Sequence, residues 1–366
     1  MKWKKDNIRA LSIVNSIPIE LTYIWRVNVM KLGVNKIAGY SISILFLFSV
    51  MACDGQDVSK IEGSKEKEVI NINLALDWYP NSNHSGFYMA KENSHYTESD
   101  LSVDIFTPAN PEDVLKTVGA GKDDFGVSYQ AEVLLARAQG IPIKSIAAMV
   151  QHPLNSIMVL KDSGISRPSD LAGKKVGVTG IPFEEALFSA MLEYDETKPE
   201  DVTIVNVGFD LGPALLGGKV DAIVGAYWTH ESIAMESQGY EIHVLRMEDW
   251  GVPDFYELVI VASEETLQNR PGLVKTFLSA TQKGFREAGN DPVNAVDVLV
   301  SFNPEVDRDL EIKGIGLLTP LWSEDGVEFG TQNADRWKQL SDWMKEKGLL
   351  EDHVDYREAF TSEFIE

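Results

Sequence analysis

The chain has 366 residues, 44% of them hydrophobic and 24% charged, long enough for two domains and too apolar for a disordered chain. Its 33 Lys+Arg stand against 56 Asp+Glu, a formal net charge of −23, so a phosphate backbone is repelled and no nucleic-acid partner is expected. The single cysteine, Cys53, excludes an internal disulfide framework and a cysteine-built zinc or iron–sulfur site.

Charge divides the chain. Residues 1–52 carry seven Lys/Arg and two acids, whereas the remainder is strongly acidic. No charge falls between Lys36 and Asp54, and this apolar run is shorter than the roughly 20 residues that span a bilayer, which suits a signal-peptide core better than a membrane helix. The run ends in Val50-Met51-Ala52-Cys53, which resembles the lipobox of bacterial lipoproteins. That resemblance implies cleavage before Cys53 and lipidation of its thiol and new amino terminus. Residues 1–52 are therefore expected to be a signal segment. Met30-Lys31 opens a basic stretch of ordinary signal length, so residues 1–29 are expected to be dispensable, with translation starting at Met30. Residues 53–68, polar and nearly free of large apolar side chains, read as a lipid-anchored flexible tether.

From residue 69 onward, β-branched runs alternate with helical patterns. Strands are predicted at 69–76, 102–106, 125–129, 145–150 and 156–160, then at 175–179, 202–207, 222–227, 241–245 and 258–263. Helices are predicted at 111–118, 131–139, 184–194 and 270–288. The alternation predicts an α/β architecture with largely parallel sheets. One segment repeats in outline: Gly121-Lys-Asp-Asp124 and Gly218-Lys-Val-Asp221 each precede a short strand that ends in tyrosine, Tyr129 or Tyr227. Ligands in open α/β sheets bind beyond the carboxyl ends of strands, so two such units suggest two similar lobes facing one cleft. G-K-x-D is also a common helix–turn–strand connector. Near the end, Trp337, Leu340, Trp343 and Met344 form an apolar stripe, read as packing rather than ligand contact, with Gly348 as the helix C-cap.

Catalytic signatures are absent: there is no G-x-S-x-G, H-E-x-x-H or Walker loop, and none of the six histidines lies three or four residues from another. Neither a metal nor a cofactor is expected. Two aromatic–polar clusters stand out instead. Asp77-Trp-Tyr-Pro-Asn-Ser-Asn-His84 follows the first strand, and Ala226-Tyr-Trp-Thr-His-Glu231 follows a strand of the second half. Aromatic faces beside carboxylate and amide groups suit a flat heterocycle with polar edges. Equally, such aromatics can pack under loops, with the histidines satisfied inside.

Leu76-DWYPNSNHSGFYMAKE-92 resembles the opening motif of solute-binding proteins that serve thiamine-pyrimidine ABC importers, in the nitrate/sulfonate/thiamine-precursor family. The likeness extends through 130–153, 170–178, 225–231, 252–263 and 358–364. It implies a type II periplasmic-binding fold: two lobes, 69–155 plus 262–366 and 156–261, a central cleft and two interlobe crossings, near 155–165 and 250–262. Residue by residue, it implies ligand contacts at Trp78, Asn81 and His84 in the first lobe and at Tyr227 and Glu231 in the second. Glu231, four residues after Tyr227, is expected to accept a hydrogen bond from an exocyclic amino group. Tyr129, Gln151, Gly180 to Phe183 and Tyr256 are expected further along the wall. The implied ligand is a formylaminopyrimidine or hydroxymethylpyrimidine, or else another heteroaromatic or small anionic solute. The implied partners are a membrane permease with its ATPase and the membrane itself through the lipid, the receptor being extracytoplasmic and monomeric. Where the family carries glycine, this chain has Ser94-His95-Tyr96 and Asp100.

The same family includes pyrimidine synthases that use a lysine and a histidine where this chain has Ser128 and Glu132, and an iron-binding cysteine motif where it has Val252–Glu257. Serine cannot form the lysine's Schiff base, so no catalytic residue is expected. A structural surface lipoprotein is the third possibility, and it would have no use for an aromatic–polar cleft.

Overall fold

The computed structural model describes residues 69–110, 113–323 and 326–365. The expected signal segment, the lipidation site Cys53 and the tether lie outside the described residues. All ten predicted strands are present, as two five-stranded sheets. The strands are β1 Ile70–Ala75, β2 Leu101–Phe106, β3 Phe125–Ser128, β4 Ile143–Val150, β5 Asn155–Leu160, β6 Lys175–Val178, β7 Thr203–Asn206, β8 Ala222–Tyr227, β9 Ile242–Arg246 and β10 Leu258–Ser263. The first sheet has the order β2-β1-β3-β10-β4 and the second β7-β6-β8-β5-β9. Fully buried strands such as β3 and β10 are continuous apolar runs, whereas the edge strand β2 alternates buried Leu101 and Val103 with exposed Ser102 and Asp104.

The expectation of largely parallel sheets is corrected. Each sheet has two parallel pairings, β1 with β2 and β3, or β6 with β7 and β8, and two antiparallel ones made by β10 or β5. The two reversed strands are those that follow the interlobe crossings. The chain leaves the first sheet after Val150 and enters the second at Asn155, then leaves it after Arg246 and returns at Leu258. The expected lobe boundary between 261 and 262 therefore moves. It would cut β10, which pairs with β4 along its whole length, so residues 258–261 belong to the first sheet. Asn155 likewise belongs to the second.

The internal repeat is structural. Asp124 accepts a hydrogen bond from the Asn73 backbone N–H at 3.0 Å, and Asp221 accepts one from Lys175 N–H at 2.8 Å. Each carboxylate thus ties the start of its strand, β3 or β8, to the neighbouring parallel strand. Gly121 and Gly218 both have φ +67°, the left-handed turn that opens each unit.

Helices cover the sheets. Pro271–Asn290 crosses Ser85–Glu92 where two glycines meet: a Cβ on Gly284 would lie 2.1 Å from the Gly86 carbonyl oxygen. This close crossing fixes the helix that follows the first aromatic cluster. The helix Ala334–Glu346 buries Trp337, Leu340 and Met344, and Gly348 (φ +69°) closes it. Trp337 stacks on Phe360 in the core, and Trp343 donates to the Gly251 carbonyl, as packing residues do. Among the described residues no helix is long and apolar enough to cross a membrane.

Candidate functional site

Beyond the ends of β1, β3 and β8 lies a narrow cavity of about 20 Å³. The first lobe contributes Asp77, Trp78, Asn81 and Tyr129. The second contributes Glu184, Gly225, Tyr227, His230 and Glu231. Trp78 also borders an adjoining, wider space of about 300 Å³ with Asn110, Thr179, Gly180, Ile181, Asn206, Gly208 and Phe209. The Trp78 and Phe209 rings, one from each lobe, meet at 4.3 Å between centroids.

The first cluster is rigid because its polar groups hold one another. Asn81 caps the short turn Ser82–His84, its side chain accepting from Asn83 N–H at 2.9 Å. The Asn81 N–H donates to His84 Nδ1 at 3.2 Å, which puts the ring hydrogen on Nε2, 2.9 Å from Asp77 Oδ1. The Tyr129 hydroxyl donates to the other Asp77 oxygen at 3.1 Å. Burial, with Asp77 alongside, holds the Tyr129 phenol well above its ordinary pKa. Asp77 is therefore an anchored acceptor facing the cavity.

The second cluster is an ion triad across the lobes. His230 Nδ1 lies 2.9 Å from Glu231 Oε1, and its Nε2 lies 3.1 Å from Glu311 Oε1 on the first-lobe helix Arg308–Leu318. Burial opposes the charge on His230, but the two carboxylates outweigh it and hold the imidazolium well above its usual pKa. Glu231 is desolvated too, yet His230 keeps it below the usual value. The other Glu231 oxygen accepts from Tyr227 N–H at 2.8 Å, and Glu311 accepts from Ser82 N–H at 2.6 Å. Glu184 differs: it is buried with the Thr179 hydroxyl as its donor, and burial pushes it up to about 8. Glu257, on the return crossing, accepts from Leu154 and Asn155 N–H on the outward one and is pushed by burial to about 7.

Of the residues expected in the site, Trp78, Asn81, Tyr129, Tyr227 and Glu231 line this one cavity, and Gly180 and Ile181 line the adjoining space. Four others, His84, Gln151, Tyr256 and Phe183, line neither space. His84 lies fully buried behind Asp77 and orients it. Gln151 is held in the first lobe by Arg336, which donates to its carbonyl at 2.7 Å. Tyr256 packs near Trp337, its hydroxyl accepting from Asn333 N–H at 2.6 Å. Phe183 is buried against Phe255. Both Gln151 and Tyr256 lie on apolar strand-to-crossing segments that the first lobe's helices cover. Sequence reasoning missed Asp77, Glu184, His230 and Phe209 as lining residues. Asp77 and His230 stood inside the aromatic clusters. Glu184 had no usable signal, because acids in a helix's first turn are ordinary.

Ser128 and Glu132 fall at the end of β3 and the start of helix Gln130–Ala138, with Glu132 accepting from the Phe183 backbone N–H at 3.3 Å. Among the described residues no cluster of His, Cys, Asp and Glu is suited to a metal ion.

The family model described as NMT1/THI5 like matches residues 81–295. The chain is 32% identical over 331 residues to the formylaminopyrimidine-binding protein of Halalkalibacterium halodurans, covering 89% of this chain and 98% of that one. It is 28% identical over 298 residues to a 4-amino-5-hydroxymethyl-2-methylpyrimidine phosphate synthase of Legionella pneumophila, covering 80% and 92%. Among solved structures, the alkanesulfonate-binding protein SsuA from Xanthomonas axonopodis pv. citri matches with a TM-score of 0.65 at 15% identity, over 81% of this chain and 99% of that one. At that identity the likeness is one of fold, the two-lobe periplasmic-binding architecture.

Proposed function

The chain belongs to the NMT1/THI5-like family, and from that premise we propose that it is the solute-binding component of an ABC importer for a thiamine pyrimidine precursor. The observation that carries this reading is the lining of the cavity: aromatic rings at Trp78, Tyr129 and Tyr227 beside the carboxyl groups of Asp77, Glu184 and Glu231, with no lysine or arginine among them. Flat aromatic faces favour a flat ring, and a cluster of acceptors favours a ring bearing an amino group. The formylaminopyrimidine-binding relative supports the same choice. A small anion fits poorly, since each carboxylate repels it in a low-dielectric site. The synthase reading lacks a nucleophile, because Ser128 stands where the resemblance places the synthases' lysine and its hydroxyl cannot form an imine.

In this reading the pyrimidine enters between the lobes, Trp78 and Tyr227 clasp its faces, and the loaded receptor docks on a membrane permease whose ATPase drives transfer. The protein acts outside the cytoplasm as a monomer held to the membrane by lipid on Cys53. Calorimetry with 4-amino-5-hydroxymethyl-2-methylpyrimidine and its formylamino counterpart tests the ligand. Saturable binding of one or both is expected, with Trp78→Ala weakening it about 10- to 100-fold through lost stacking. Binding of alkanesulfonates but no pyrimidine would refute the assignment. Metabolic labelling with a fatty-acid analogue tests the anchor: label is expected on the wild type and absent from Cys53→Ser.

A further inference from the structure

Glu184 is the cavity's odd carboxyl. It comes from the first turn of the helix Pro182–Tyr194, is buried, and lines the cavity directly. Its backbone N–H bonds the Ile181 carbonyl at 3.1 Å, so the helix start fixes its direction. The Thr179 hydroxyl donates to Oε2 and orients the group. The other wall is cut away to receive it: Gly225 on β8 has φ +94°, and a Cβ there would lie 2.7 Å from both Glu184 oxygens.

Every other acid of the cavity has its partner. Asp77 is held by His84 and Tyr129, and Glu231 by His230 and the Tyr227 N–H. Among the described residues, none of the charges acting on Glu184 is a cation free to neutralise it. Glu257 from the return crossing and Glu132 from helix Gln130–Ala138 face it as acids, Tyr129 and Tyr227 as phenols, and His230 is engaged by Glu231 and Glu311. A buried carboxyl in such company keeps a proton unless something supplies a positive charge.

Building on the pyrimidine reading, we propose that Glu184 is the specificity-determining contact, a protonated carboxyl that pairs with the amidine-type edge of the ligand. Its O–H donates to a ring nitrogen while its carbonyl oxygen accepts from the adjacent exocyclic amino group. A carboxylic acid presents one donor and one acceptor side by side, and a ring nitrogen beside an amino-bearing carbon presents the complement. The proton is shared between the carboxyl oxygen and the ring nitrogen, so none leaves the complex. Burial pushes the free carboxyl to about 8. Below that pH the acid is ready to bind, and above it each binding event must take a proton from solvent.

Calorimetry with 4-amino-5-hydroxymethyl-2-methylpyrimidine, from pH 7 to 9.5 in buffers of different ionisation enthalpy, tests this. The wild type should lose affinity by about tenfold per pH unit above 8, with proton uptake rising from about a tenth per ligand at pH 7 towards one per ligand at pH 9.5. Glu184→Gln offers an amide N–H and a carbonyl in the same places, so it should bind within about tenfold of wild type at pH 7, with no dependence on pH. Glu184→Leu should lose more than about a hundredfold while binding the analogue without the amino group nearly as wild type does. A Glu184→Gln protein that keeps the wild-type pH slope, or a Glu184→Leu protein that binds the aminopyrimidine normally, overturns the assignment of Glu184 and leaves the pyrimidine reading standing. A folded wild type that binds no aminopyrimidine at any pH overturns both.

Discussion

The carboxyl groups of the cavity divide by what holds them. Asp77 and Glu231 each sit against a histidine, whereas Glu184 and the nearby Glu257 have neutral donors and are buried beside other acids, which pushes them up to about 8 and 7. Both lie above the carboxylate's ordinary 4.5, so between about pH 4.5 and 8 the folded chain binds more protons than the unfolded one. Stability from these groups is fully present below that window and is lost as pH rises through it. His230, also raised, acts in the same direction at the upper end. The melting temperature is therefore expected to be lower at pH 8.5 than at pH 5.5, and Glu184→Gln should flatten the slope in scanning calorimetry. A melting temperature that rises across this interval would contradict the assignment of these pKa directions. Ser94 shows a different kind of local cost: it sits at φ +65°, in the left-handed region that favours glycine. A left-handed non-glycine costs about 1–2 kcal/mol, part of which glycine's greater freedom in the unfolded chain gives back. Ser94→Gly should raise stability by about 0.5–1 kcal/mol in a urea titration.

At the scale of elements, the site depends on turns and crossings held by small groups. The paired Asp124 and Asp221 contacts set the same register in both lobes, which is why each places a tyrosine at its strand's carboxyl end. The opening cluster rides on helix Ser85–Glu92, which approaches Pro271–Asn290 through Gly86 and Gly284. A Cβ on Gly86 would lie 2.3 Å from the Phe285 ring, and one on Gly284 would meet backbone. Because backbone cannot yield as a side-chain tip can, Gly284→Ala should destabilise by about 2–3 kcal/mol. It should also weaken ligand binding by displacing Trp78 and Asn81, while a substitution at open Gly289, on the same helix, should do neither. Paired chemical-denaturation and binding curves on the two variants check this.

At the scale of the molecule, the lobes are joined by more than their two crossings. One apolar cluster runs from Ala131 and Val259 of the first lobe to Val176 and Val224 of the second. The Glu231–His230–Glu311 triad adds a charged link at the cleft. Removing the cation leaves two carboxylates facing each other with little water between them. His230→Ala should therefore cost about 3 kcal/mol, the low end of the range for a broken buried pair because His230 keeps some exposure. It should also enlarge the radius of gyration of the ligand-free protein in small-angle scattering as the lobes part. An unchanged radius together with unchanged stability would show that the triad does not hold the lobes.

The sequence by itself determined the ten strands, the α/β class and the two aromatic clusters, because β-branched runs, glycine turns and strand-end tyrosines are local signals that survive without tertiary context. The resemblance carried by segments such as 76–92 and 225–231 singled out Trp78, Asn81, Tyr129, Tyr227 and Glu231 as contacts, and these five line the cavity. Tertiary structure alone decided the rest. The direction of β5 and β10 follows from which sheet the chain rejoins after each crossing, and no periodicity records that. Gln151 and Tyr256 sit beside the crossings but are claimed by Arg336, Asn333 and Trp337, residues about 80 or more positions away. Whether an acid such as Glu184 faces solvent at a helix start or a closed cavity depends on the wall opposite it, and here that wall is a glycine on a different strand.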